Sequence, residues 1–263
     1  MISIVAAIGL GLVAGPPPQT PPETRSLRIE PDWKAMGPGL WFDPRGRKTV
    51  LRARIVLREG MLEHLLCRKG TKEHEAILAT EAPARSIHAA LLLTGADVGH
   101  PVEFAPKFRP PAGSPIQIEV VWNQNGHRRT DDARQWVWDE KTRSPLEIDW
   151  VFAGSVLYED RITRKPMYAA DDGDLITVAN FASAILDLPI NSSANDADRM
   201  FTANTARIPP IGTEVFLILA PRPVAKEKGQ EKPRTGASGE KAGADGPTGV
   251  RGGGRSEDGR KAD

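Results

Sequence analysis

The chain has 263 residues, 40% hydrophobic and 26% charged, so a packed core is available and one large or two small domains fit the length. The formal charge of +1 is unevenly divided: from Arg222 onward there are ten basic and seven acidic residues, and before it 25 and 27, so the folded part carries no electrostatic footprint for nucleic acid and no such partner is expected. A single cysteine, Cys67, excludes both an internal disulfide framework and an iron–sulfur cluster held by four cysteines.

Residues 1–14, MISIVAAIGLGLVA, match the apolar region of a signal peptide, although no Lys or Arg precedes them and Leu12 stands where a cleavage site prefers a small residue. The run is shorter than the roughly 20 residues a bilayer span needs, so no transmembrane helix is expected. Residues 15–25 form a proline-rich linker, because proline fixes the backbone and removes amide donors. One globular domain is expected over 26–221. It opens with Trp33, Leu40, Trp41 and Phe42 around a Gly37-Pro38-Gly39 turn.

In Thr49–Leu57, Leu51, Ala53, Ile55 and Leu57 alternate with Arg52 and Arg54, the period of a half-buried strand. After the turn signal Glu59-Gly60, Met61–Cys67 and Glu73–Ala79 read as two further strands. The short polar loop Arg68–Lys72 between them contains Gly70, and a hairpin is expected. Such a hairpin would place Cys67 opposite Glu73 or His74, with the face set by register. A thiol and an imidazole so placed allow three outcomes. His74 could act as base on a nucleophilic Cys67, with Lys72 as an anion contact. Cys67 and His74 could bind a divalent metal, with Glu75 and His88 completing the shell. Or Cys67 could be a small buried hydrophobe. Gly70-Thr71-Lys72 resembles part of a phosphate loop, but the earlier glycine and following helix are missing, so it reads as a hairpin tip.

A helix is expected over Pro83–Thr94, with Thr80 as a cap, Ile87, Ala90, Leu91 and Thr94 on one stripe, His88 beside it, and Gly95 as the stop. Val102–Phe104 and Ile116–Trp122 follow as strands, the second alternating cleanly before the hairpin signal Asn125-Gly126. Trp136 and Trp138 share a face that could stack sugars but more simply covers a core. Leu146–Tyr158 reads as a buried strand in which Asp149 needs a partner. Asp171, Asp172 and Asp174 gather carboxylates without the spacing of a calcium loop and read as a solvated turn. Leu175–Phe181, Ala184–Pro189 and Thr213–Ala220 are expected strands, and Asn195–Ala203 a helix. The tail 222–263 has no Leu, Ile or aromatic residue and is expected to be disordered.

GMLEHLLCRKGTKEHEAILA, HAALLLTGADVGHPVEF, IDWVFAGS, GDLITVANF, LDLPI and IPPIGTEVFLIL, in this order and spacing over about Lys48–Pro221, resemble the YdjY domain family of exported bacterial proteins, many of them from planctomycetes. The resemblance implies an uncharacterised exported domain in the periplasm or cell envelope. It draws attention to Cys67, Thr71, Lys72, His74 and Glu75 and supplies no mechanism. A ferredoxin-like label borne by some members does not fit one cysteine. The expected fold class is α+β, predominantly antiparallel β with two or three short helices. The expected function is a binding or structural module for an envelope component or small ligand. The alternative is a metal- or thiol-dependent site centred on Cys67 and His74.

Overall fold

The computed structural model describes residues 29–191 and 201–222. The expected signal peptide, the proline-rich linker, the tail beyond 222 and the first part of the Asn195–Ala203 helix lie outside the described residues. Eight strands close into a barrel: β1 (Lys48–Ile55), β2 (His64–Arg68), β3 (Ala76–Thr80), β4 (Pro115–Gln124), β5 (Trp150–Phe152), β6 (Asp174–Thr177), β7 (Leu186–Asp187) and β8 (Glu214–Pro221). Around the ring the order is β1-β8-β4-β5-β7-β6-β2-β3. The ring closes where Arg54 and Ile55 of β1 pair with Ala79 and Leu78 of β3. Closure leaves these strands with no unpaired edge to attract another chain.

The alternation of the sequence fills this barrel. Leu51, Ala53 and Ile55 of β1, Ile116, Ile118, Val120 and Trp122 of β4, and Val215, Leu217 and Leu219 of β8 belong to one buried cluster. Arg52 and Arg54 point to solvent. Removing this apolar surface from water is the main drive for the fold. Asn125 and Gly126 both take left-handed φ, 54° and 78°, as a two-residue hairpin turn demands, and carry β4 into the paired strand His127–Asp132.

The helix α1 (Ala84–Leu93) buries Ala84, Ile87, Ala90 and Leu91. It ends at Thr94, and Gly95 follows at φ +82°. Thr80 is not its cap; its hydroxyl donates to the Arg52 carbonyl at the end of β3. Among the described residues this is the sole α-helix, where two or three were expected; Ala133–Trp136 and Ala169–Asp172 are single 3-10 turns. Phe201–Ala203, expected to end a helix, is a strand paired with Met61–Leu62 and Val137–Asp139. Its buried Phe201 and Ala203 flank a half-buried Thr202, a period of two that a six-residue-longer helical pattern masked.

Two other strands are interrupted. Leu146–Tyr158 breaks after β5, where Gly154 and Ser155 take φ of 89° and 62°. The chain resumes as a hairpin whose first strand, Leu157–Glu159, is exposed and whose second, Pro166–Tyr168, ends on buried Tyr168. Asp149 has its partners: Arg134 Nη1 lies 3.1 Å from one oxygen and Arg222 Nε 2.5 Å from the other. The strand expected at Val102–Phe104 forms earlier, at Val98–His100. Trp136 is fully buried with its ring 5.7 Å from Trp122, so it serves the core, while Trp138 is half-buried. No helix among the described residues is long and apolar enough to cross a membrane.

Candidate functional site

Strands β2 and β3 are parallel, not a hairpin: His64 pairs with Ala76, Leu66 with Leu78 and Cys67 with Ala79. The cause lies in residues 69–75. The Thr71 amide donates to the Arg68 carbonyl and the Glu75 amide to the Lys72 carbonyl, forming two successive turns. Two reversals restore the original direction. Gly70, at φ +79°, permits the first, and its amide donates to the Glu73 carboxylate at 2.8 Å. One polar loop therefore does the work usually given to a longer crossover.

This geometry separates the expected pair. Cys67 is fully buried beside Ala76, Ala79 and Val56. Burial pushes its thiol up to about 11, against smaller pulls from the Lys72 backbone and the Thr71 hydroxyl. Such a thiol is protonated at neutral pH and closed to solvent, which leaves it a weak nucleophile. His74 sits on the exposed loop, its Nε2 3.6 Å from a Glu75 oxygen. The Thr71 hydroxyl is spent on the Arg68 carbonyl at 2.6 Å. His88 joins neither Cys67 nor His74: it faces a separate cleft on α1.

Lys72 and Glu75 do converge, around His64. This histidine opens β2 and is fully buried, its ring stacked 5.4 Å from Phe181. Its Nε2 donates to Asp174 Oδ1 at 2.8 Å, and Ser183 Oγ donates to the other Asp174 oxygen. Burial alone would raise the Asp174 carboxyl. Hydrogen bonds from His64 and Ser183, with the nearby charge of Lys72, outweigh it and hold the group below the usual range. Lys72 Nζ lies 3.6 Å from Asp174 Oδ1, 3.9 Å from Glu75 Oε1 and 5.6 Å above the Phe181 ring. Glu63 completes the group; burial and the neighbouring Glu75 raise its carboxyl. Of these residues, sequence reasoning passed over Glu63, His64, Phe181 and Ser183, and it placed Asp174 in a solvated turn. No local spacing betrays them, because His64 and Asp174 are 110 positions apart.

A separate cleft of about 470 Å³ is lined by His88, His100, Val98, Leu157 and Tyr168, with Gly154 and Ser155 at its wall and Arg85, whose charge is paired with Asp171 at 3.0 Å, also facing it. The Tyr168 hydroxyl donates to the Gly154 carbonyl at 3.0 Å, so its oxygen accepts from His88 Nδ1 at 2.8 Å. That assigns the proton of His88 to Nδ1 and its lone pair to Nε2. Burial lowers the His88 pKa, keeping the ring neutral at neutral pH. His100 donates Nδ1–H to the Pro101 carbonyl at 2.9 Å, so its neutral form also carries the lone pair on Nε2. Ser155 is held in the left-handed region, a backbone cost that functional walls often bear. Val98 and Leu157 are large apolar side chains left exposed here.

A family model described as YdjY domain matches residues 43–220, a span that contains seven barrel strands whole and all but the last residue of β8. No curated protein and no solved structure matches the chain.

Proposed function

From the premise that the chain belongs to the YdjY domain family, we propose that it is an exported cell-envelope binding module whose ligand occupies the His88 cleft. The observation that carries this reading is the chain Gly154 carbonyl–Tyr168 hydroxyl–His88, which fixes a neutral imidazole with an acceptor nitrogen in a largely apolar cleft. Pre-formed apolar clefts with a few fixed polar groups are what small-molecule sites are made of. The ligand class is a neutral molecule with an apolar body and a hydroxyl or amide N–H that donates to His88. The N-terminal apolar run supports export. A thiol-dependent reaction has no support, since Cys67 is sealed and protonated.

The test is an NMR titration of the domain with neutral aromatic alcohols and amides. Hits should shift the resonances of His88, Val98 and Leu157 and weaken at least tenfold in His88→Ala. Hits indifferent to that substitution, or no hit at millimolar concentration, would discard the cleft. Fractionation of the producing cells checks the compartment: a chain retained whole in the cytoplasm refutes export.

A further inference from the structure

We propose that Glu63, His64 and Glu75 form a binding site for one first-row divalent cation, zinc foremost, with Asp174 orienting the histidine. The site is independent of the His88 cleft, and neither proposal falls with the other.

The backbone brings the three residues together before any side chain acts. The amides of Glu63 and His64 both donate to the Glu75 carbonyl, each at 3.1 Å, at the point where β2 and β3 begin. The Glu63 carbonyl in turn accepts from the Val178 amide at 2.8 Å. One ligand atom from each of the three side chains then lies within 4.8 Å of the others. Clusters of carboxylates are common on protein surfaces and mean little alone. The decisive atom is His64 Nδ1. The residue is 0% exposed, and this nitrogen has no hydrogen-bond partner among the described residues. It lies 3.9 Å from Glu75 Oε1.

Because His64 Nε2 donates to Asp174, the neutral ring carries its lone pair on Nδ1, on the side of the two glutamates. A buried imidazole nitrogen without a partner is costly and rare, so it calls for an explanation. A carboxylate behind a histidine, fixing its tautomer and aiming its free nitrogen at further ligands, is the arrangement by which proteins present histidine to a metal. Ser183, bonded to the far oxygen of Asp174, extends that support one step outward.

The donor set decides the class of ion. One imidazole nitrogen with two carboxylates suits zinc and its first-row neighbours. Calcium and magnesium prefer shells of oxygen only. Three protein ligands leave a fourth position open to water or an anion. Glu63, Glu75 and Lys72 are only half-buried, so an ion has an approach that the sealed histidine alone would not offer. Lys72 already places one positive charge 3.9 Å from Glu75; its flexible stem lets the ammonium swing away as the ion enters.

Zinc binding to the folded chain, measured by calorimetry and by metal analysis after dialysis, tests the proposal. One zinc per chain is expected, weakened at least tenfold in both Glu63→Gln and Glu75→Gln, with thermal melts confirming that both variants fold. His74→Ala should stay within about threefold of the parent, because exposed His74 is outside the set. Loss of binding in His74→Ala with retention in Glu63→Gln would reassign the zinc to the surface loop and overturn the site. So would no stoichiometric zinc at all. Loading with cobalt(II) adds a second readout. Ligand-field bands without a thiolate-to-cobalt charge-transfer band are expected; that band would bring Cys67 into the shell and refute the ligand set.

Discussion

His64 and His88 each pack on an aromatic ring and each give one ring nitrogen to an oxygen, yet they end in opposite electrostatic settings. The oxygen that meets His64 belongs to an ionised carboxylate with Lys72 nearby and two more acids beyond. The one that meets His88 belongs to a phenol whose own proton is committed to a carbonyl. The contrast teaches that a histidine's role is set by what stands behind it. A carboxylate behind the ring favours a cation in front. A neutral hydroxyl behind it, in a half-buried position at the wall of a cleft, leaves an uncharged acceptor suited to a neutral ligand. The same logic separates Asp174 and Asp187, on the paired strands β6 and β7. Asp174 has cationic company and stays charged. Asp187 is fully buried and bonded only to neutral donors: Thr177 Oγ1 at 2.9 Å, the Leu188 amide at 2.8 Å, and more distantly Asn180 and Phe181.

The largest expected effect tests that pairing of charge with company. Burial pushes the Asp187 carboxyl from 3.8 up to about 7, against the pull of its four donors. A group with a raised folded pKa contributes stability that is complete below its unfolded value and is lost as pH rises through its folded value. The parent should therefore lose up to about 4 kcal/mol relative to Asp187→Asn between pH 4 and pH 8. Urea unfolding of both proteins across that range measures the difference directly. Parallel curves would mean that four neutral donors suffice to keep a buried carboxylate charged, and the contrast with Asp174 would fail.

The next effect sharpens the other side of the comparison. Tyr168→Phe removes the hydroxyl between His88 Nδ1 and the Gly154 carbonyl and leaves both without it. A loss of about 1–3 kcal/mol in unfolding free energy is expected, the cost of stranding buried polar groups. A change below about 0.5 kcal/mol would show that water replaces the phenol, and that the tautomer of His88 is not fixed by the fold.

How far these regions could be read from sequence depends on the range of the interactions. Strands β1, β4 and β8 and helix α1 announce themselves because their apolar residues repeat at intervals that one face of a strand or helix can bury. The density of polar groups in 59–80 draws attention to that stretch, and Glu75 and Lys72 do stand beside the buried His64–Asp174 pair. The identity of that histidine was hidden. A hairpin and a double turn have the same polar, glycine-bearing loop between apolar runs, and only the second makes β2 and β3 parallel. That choice leaves Cys67 buried and His74 exposed, and brings Glu75 to Glu63 and His64. Asp174 was hidden for a different reason: its neighbours Asp171 and Asp172 stay on the surface, where Asp171 meets Arg85, while two residues after Asp172 the chain turns inward.

The smallest effect concerns Cys67, the single thiol of the chain. Cys67 lies three positions beyond His64 on the same strand, yet it is sealed beside Ala76, Ala79 and Val56 under the loop that follows the strand. With the thiol at about 11, only about one molecule in a thousand carries a thiolate at pH 8, and none of these is open to solvent. Labelling by a disulfide reagent should then proceed only through opening of the barrel. Its rate should lie at least about a hundredfold below that of the unfolded chain and rise with urea in step with global unfolding. Cys67→Ala should cost about 1 kcal/mol, as a modest loss of packed volume does. Prompt labelling of the folded chain at pH 7 would place the sulfur within reach of solvent. The distinction between a charged pocket at His64 and a dry strand beside it would then have to be redrawn.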